Sequence, residues 1–242
     1  MTRVRRGFWL GLAIAVLKPA ILVMTRHEWR GQELIPPDGA VVVTNHISKI
    51  DPLVLGHFIV DLPRNPRFLA KDTLFHKPFI GMVFRGAHQI PVHRNSADAA
   101  KALAAAVDAV ADGSLVLMHP EGTCTKDPDL WPMKGKTGAA RLALLSGAPM
   151  IPVVQWGAQR IHHPVTGKFR PRWRTPVTVV VGEPIDLSEY ADRPVTVELL
   201  DELTEKTMLR LREMLAEIRG VPAPTGPLFT LPKAGRKREA TS

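Results

Sequence analysis

Short apolar runs alternating with stretches of helical spacing constrain this chain most. Ala40-Val41-Val42-Val43 follows the turn signal Pro36-Pro37-Asp38-Gly39 and reads as a buried strand. Leu115–Met118, Met150–Val154 and Val177–Val181 repeat the pattern. Arg67–Ala70 and Gln89–Val92 are shorter candidates. Pro91 cannot donate to a ladder, so it predicts an edge or a strand end. Between these runs lie three helical stretches. Residues 96–111 are Ala-rich, capped by Asn95 or Ser96 and ended by Gly113. Thr137–Leu145 is closed by Gly147, and Val197–Ile218 places Leu199, Leu203, Leu211, Leu215 and Ile218 at helical spacing. The alternation predicts an α/β domain over residues 30–220, with a mixed, largely parallel sheet flanked by helices.

The two ends read differently from the middle. Arg3, Arg5 and Arg6 precede an apolar stretch from Phe8 to Met24, interrupted by Lys18-Pro19. A bilayer span needs about 20 consecutive apolar residues, and Pro removes a helix donor. Residues 1–29 are therefore expected to form two short apolar helices that meet at Lys18-Pro19 and lie in one leaflet. A secretory signal peptide or full-span anchor and a buried hairpin are the competing readings. Residues 221–242 are rich in Pro and basic residues, with Lys233, Arg236, Lys237 and Arg238, and read as a mostly flexible tail. The 32 Lys+Arg against 23 Asp+Glu give a net charge of +9, which points to anionic partners such as lipid headgroups or phosphorylated metabolites. The single Cys excludes an intramolecular disulfide framework and a Cys-based zinc cluster.

Two segments carry candidate chemistry. In Asn45-His46-Ile47-Ser48-Lys49-Ile50-Asp51-Pro52, a strand end is followed by a helix start, with Asp51 as N-cap and Pro52 in the first helical position. On a regular helix His46 and Asp51 would stand about 140° apart, so they meet only if the chain turns between them. An Asp holding one imidazole nitrogen would leave the other free as a base; an N-cap Asp beside an ordinary loop His is the plainer reading. The second segment, His119-Pro120-Glu121-Gly122-Thr123, follows the strand Leu115–Met118 and reads either as a substrate-binding turn or as a simple turn.

The ordered pair Asn45-His46-x-Ser48-x-x-Asp51-Pro52 and Pro120-Glu121-Gly122-Thr123 resembles the glycerolipid acyltransferase family, in particular its bacterial 1-acylglycerol-3-phosphate acyltransferases. Gly86–Arg94 and Ala148–Val154 look like two further blocks of that family, in the same order. The resemblance implies acyl transfer from acyl-CoA or acyl carrier protein to a lysophospholipid hydroxyl, giving phosphatidic acid in phospholipid biosynthesis. It makes His46 the general base and Asp51 its orienter, with no acyl-enzyme and no cofactor beyond the acyl donor. Asn45, Ser48, Glu121, Gly122 and Thr123 are expected at the substrate, with Arg94 first and Lys71 second as phosphate ligands. The family's third block usually carries Phe and Arg where this chain has His119 and Cys124. Lys126 or Lys136 would then supply the missing cation. Glycerol-3-phosphate and a lyso-aminolipid are alternative acceptors, and a non-catalytic basic membrane-binding protein is the alternative outside enzymes. The expected location is the cytoplasmic face of the cell membrane.

Lys168-Phe169-Arg170-Pro171-Arg172-Trp173-Arg174 interleaves cations with aromatics. It suits an anionic bilayer surface or an acidic acyl carrier, with a solvated hairpin as the plainer reading. Nucleic acid is not expected, because it leaves the apolar N-terminus unexplained. No metal is expected either, because His162-His163 has no third ligand at metal spacing nearby.

Overall fold

The computed structural model describes residues 7–62, 64–92 and 96–231, with only the backbone of 96–98. It is built from α1 (Phe8–Met24), β1 (Thr25–Arg30), β2 (Ala40–Thr44), α2 (Asp51–Asp61), β3 (Pro66–Lys71), α3 (Pro78–Gly86) and β4 (Ile90–Val92). There follow α4 (Ser96–Ala111), β5 (Leu115–Met118), α5 (Gly138–Ser146), β6 (Met150–Trp156), β7 (Thr175–Val181) and α6 (Val197–Arg219). The seven strands form one sheet in the order β1-β7-β6-β2-β5-β3-β4. Every neighbouring pair is parallel except β6 with β7.

The all-apolar central strands have a simple cause, since helices cover both sheet faces. Successive side chains point to opposite faces. Val41, Val43 and Val116 join one core with α4, α5 and the start of α6; Val42, Leu115 and Leu117 join another with α2. A third cluster sets Val154 against Trp131 and the later turns of α6. The Thr196 hydroxyl accepts from the Leu199 amide to start α6, and Gly220 ends it with a positive φ of 64°. Gly39 is obligatory for close approach, because a Cβ there would lie 1.8 Å from the Val110 carbonyl oxygen.

Several expectations need correction. The N-terminus forms one helix of 17 residues that carries Pro19 in its interior, not two helices meeting at Lys18-Pro19. The turn freed by Pro19 lies on the exposed side, and Lys18 is held by an ion pair with Asp61 of α2 at 2.6 Å. The helix is about 25 Å long by its residue count. Among the described residues no helix is long and apolar enough to cross a membrane. The sheet begins already at Thr25. The polar sequence of β1 hides an edge strand whose hydrogen bonds come from β7. The segment α3 also escaped the sequence reading. Pro91 does lie on an edge strand. Residues 221–231 are not a free tail: the Lys134 amide donates to the Phe229 carbonyl at 2.9 Å, and Leu228 packs on the third cluster. Arg3, Arg5, Arg6, Asn95, Lys233 and Arg236–Arg238 lie outside the described residues.

Phe58 is fully buried between α2, the sheet and Trp29. Phe58→Ala is expected to lower unfolding stability by about 3–5 kcal/mol, read as a shift in urea midpoint.

Candidate active site

Strands β2 and β5 are parallel neighbours, with Val43 opposite Met118, so the loops that follow them emerge side by side at one end of the sheet. Asn45 fastens the first loop. Its Nδ2 donates to the Gln155 carbonyl (3.0 Å) and its Oδ1 accepts from the Gln155 amide (2.9 Å), which ties the end of β2 to β6. Glu121 fastens the two loops together. Its carboxylate accepts from the His46 amide (2.9 Å) and from the Met133 amide (3.1 Å). The Ser48 hydroxyl donates to the His162 carbonyl at 2.9 Å. Asn45, Ser48 and Glu121 were expected to touch substrate. All three are buried, and these bonds run to the protein itself.

Asp51 is fully buried. Its Oδ2 accepts from the Ile47 amide (2.7 Å) and the Ser48 amide (2.8 Å), and lies 2.9 Å from His46 Nδ1. The carboxylate therefore folds back onto the preceding loop, and Ile50 occupies the N-cap position given to Asp51 by the sequence reading. That turn brings His46 and Asp51 together despite their unfavourable helical spacing. An oxygen already receiving two N–H groups acts as acceptor, so Nδ1 carries the hydrogen and Nε2 keeps its lone pair. Burial pushes the His46 imidazole down to about 4, which keeps it neutral and proton-accepting. Burial pushes Asp51 up to about 7, opposed by the nearby His119 and by the two amide bonds.

Two neighbours of His46 were not legible as such. His119 stacks on it, with ring centroids 4.1 Å apart and planes at 14°. Its Nδ1 lies 3.2 Å from the Asn45 carbonyl, and burial pushes its imidazole down to about 3. Cys124 Sγ lies 3.5 Å from His46 Nε2. Burial raises that thiol to about 11, so it is protonated at neutral pH and is no nucleophile. Both residues sit inside the second motif, but nothing in its spacing announces a contact with His46.

His46 opens into a cavity of about 1220 Å³. Lys49, Lys71, Lys136 and Arg141 belong to its lining, and the first turn of α5 contributes Gly138 and Ala139. Leu10, Ile14 and Leu17 of α1, with Val60, Phe68 and Leu103, supply apolar wall. Of the two proposed replacement cations, Lys136 belongs to this lining and Lys126 does not, because the Lys126 amide turns onto Met133 Sδ (3.1 Å) and its side chain is exposed. Gly122 has a positive φ of 68°, and a Cβ there would lie 3.0 Å from Lys136 Nζ. The Gly122 amide donates to the His119 carbonyl at 2.9 Å, whereas the amides of Thr123 and Cys124 have no partner among the described residues. Arg94 lies outside the described residues.

A neutral, carboxylate-oriented imidazole lining a part-cationic, part-apolar cavity suits proton abstraction from a hydroxyl on an amphiphile. The family model described as Acyltransferase matches residues 26–156, more than half of the chain. The chain belongs to the acyltransferase family. This acyltransferase is 27% identical over 76% of its length to the 1-acyl-sn-glycerol-3-phosphate acyltransferase of Bacillus subtilis, covering 85% of that protein. It is 32% identical over 67% of its length to a 1-acyl-sn-glycerol-3-phosphate acyltransferase of Chlamydomonas reinhardtii, of which it spans only 47%. Its fold matches the crystal structure of the 1-acyl-sn-glycerophosphate acyltransferase of Thermotoga maritima with a TM-score of 0.64 at 22% identity, covering 89% of this chain and 81% of that one.

His119 yields a pH prediction. Its folded value of about 3 lies below the usual 6.5, so the unfolded chain binds the proton first. Its stabilising contribution is complete above about 6.5 and is lost as pH falls towards 3. Asp51 and Glu121, raised by burial to about 7 and about 8, act in the opposite sense, so a single substitution is needed to isolate the effect. The stability of His119→Phe relative to wild type is expected to rise as pH falls from 7.5 to 4.5, by up to about 1.4 kcal/mol per pH unit, measured by urea unfolding at several pH values.

Proposed function

We propose that this acyltransferase moves a fatty acyl group from an acyl thioester, acyl-CoA or acyl carrier protein, to the free hydroxyl of 1-acylglycerol-3-phosphate, giving phosphatidic acid. The observation that carries the reading is the His46–Asp51 pair, with His46 lining a cavity that also holds Lys49, Lys71, Lys136, Arg141 and an apolar set. The relatives' names supply the acceptor.

In this reading His46 Nε2 takes the acceptor hydroxyl proton while that oxygen attacks the thioester carbonyl. The tetrahedral intermediate collapses with loss of the thiolate, which receives the proton from the imidazolium. Asp51, when ionised, stabilises that imidazolium and holds its tautomer. The Thr123 and Cys124 amides, without a partner among the described residues and beside the Cys124 thiol that touches His46, are candidate backbone donors for the oxyanion. The acceptor phosphate is drawn by Lys136, Arg141, Lys71 and the N-terminal turn of α5, whose free amides favour an anion. Arg94 remains the family's expected phosphate ligand. The acceptor hydroxyl must displace Cys124 Sγ from the face of Nε2.

Membrane attachment at the cytoplasmic face belongs to the same reading. Phe8 and Val16 of α1 are 74% and 63% exposed, and Phe79 of α3 is 64% exposed. Trp173 and Phe169 stand exposed among arginines, and the Arg174 amide donates to the Val23 carbonyl, which joins that loop to the end of α1. An apolar helix face beside Trp and Arg suits an anionic bilayer surface entered from one side.

The test is acyl transfer by detergent-solubilised enzyme, offered acyl-CoA and acyl carrier protein with phosphorylated and neutral acceptors. His46→Ala and Asp51→Asn are each expected to lower kcat/KM by about 10²–10⁴-fold while the fold is retained. Lys136→Ala is expected to raise KM for 1-acylglycerol-3-phosphate by about 10–100-fold, with little change for a neutral lysolipid. Full turnover by folded His46→Ala would refute the mechanism.

A further inference from the structure

Beyond the His46–Asp51 pair, α2 and β1 bring together three further groups. His57 and Asp61 stand four residues apart on one face of α2, and His27 faces them from β1. One ligand atom from each of the three lies within 4.8 Å of the others. His57 is 4% exposed, and neither of its ring nitrogens has a hydrogen-bond partner among the described residues. Its Nε2 is 3.3 Å from Asp61 Oδ2, yet the pair forms no hydrogen bond. That spacing equals the edge of a tetrahedron built on metal–ligand bonds of about 2.0–2.1 Å.

We propose that His27, His57 and Asp61 form a binding site for a divalent transition-metal ion of the zinc type.

Two imidazoles and one carboxylate are the donor set such ions prefer, whereas magnesium and calcium favour oxygen alone. The ion takes up a lone pair of the buried His57 ring, which otherwise has no partner. The carboxylate is already oriented by outer contacts, as ligating carboxylates commonly are. Lys18 Nζ holds Oδ1 at 2.6 Å and Trp29 Nε1 donates to Oδ2 at 3.0 Å. The Lys18 charge weakens cation binding, so the affinity is expected to be micromolar rather than nanomolar. His27 is exposed, which leaves an entry path and a fourth position for water. The ion would join the first sheet strand to α2 and, through Asp61 and Lys18, to α1. Sequence spacing could not reveal this set, because β1 itself was hidden and the ligands span residues 27–61.

The test uses the full chain, untagged, detergent-solubilised and stripped with a chelator. It is titrated with Co²⁺, read by its d–d absorption, and with Zn²⁺ by calorimetry. One equivalent is expected to bind with micromolar affinity and to raise the thermal midpoint. His57→Gln and His27→Gln are each expected to weaken binding about a hundredfold or more and to abolish the thermal shift. His163→Gln should leave both unchanged. Midpoints of the metal-free variants establish that they fold. Undiminished binding in folded His57→Gln and His27→Gln, or no binding by the wild type below millimolar metal, would overturn the proposal.

Discussion

One buried oxygen organises the site. Asp51 Oδ2 collects two loop amides and the His46 ring, and without it the segment between β2 and α2 would leave buried donors unpaired. The fold tolerates a carboxylate at zero exposure because that cost is offset by three short contacts. Glu121 repeats the device from the other side, joining the His46 amide to the Met133 amide. The two carboxylates turn a flexible loop into a rigid platform and hold His46 between β2, β5 and α2. Rigidity of this kind fixes the direction and tautomer of the His46 ring.

The platform lies where the sheet can use it. Parallel pairing of β2 with β5 places both motif-bearing loops at the same strand ends, and pairing of β2 with β6 lets Asn45 brace them. Helix α1 adds an element that a sheet-and-helix layer would not otherwise have. It contributes Leu10, Ile14 and Leu17 to the cavity while leaving another side exposed, so one helix lines the cavity and offers an apolar face outward. Its attachment is partly ionic, through Lys18 and Asp61. Part of the cluster read here as a metal site therefore also ties the helix to the domain.

Much of this architecture was legible. Val41, Val42 and Val43 announce a central strand, because only cover on both faces rewards three consecutive apolar side chains. Gly113 and Gly147 mark helix ends correctly, since αL termini favour glycine. The polar strand β1 was not legible, because its strand character comes from hydrogen bonds to β7 rather than from its own residues. Pro19 misled for a related reason. Loss of one donor predicts a break in an isolated helix, but packing against α2 and α3 sustains α1. Within the site, the His46 and Asp51 identities were readable. The choice of Lys136 over Lys126, the stacking of His119 and the approach of Cys124 to Nε2 were not, because each depends on how separate loops fold onto one another.

Sequence alone determined the layer class, the central strands, the order of the motifs and the residues of the His46–Asp51 pair. These follow from periodicity and local residue chemistry, which act over a few neighbours. Tertiary structure decided that Asn45, Ser48 and Glu121 brace the loops, that Lys136 reaches the cavity, and that His27 meets His57 and Asp61. Those are contacts between segments far apart in the chain, set by strand order and helix packing, and no local pattern encodes them.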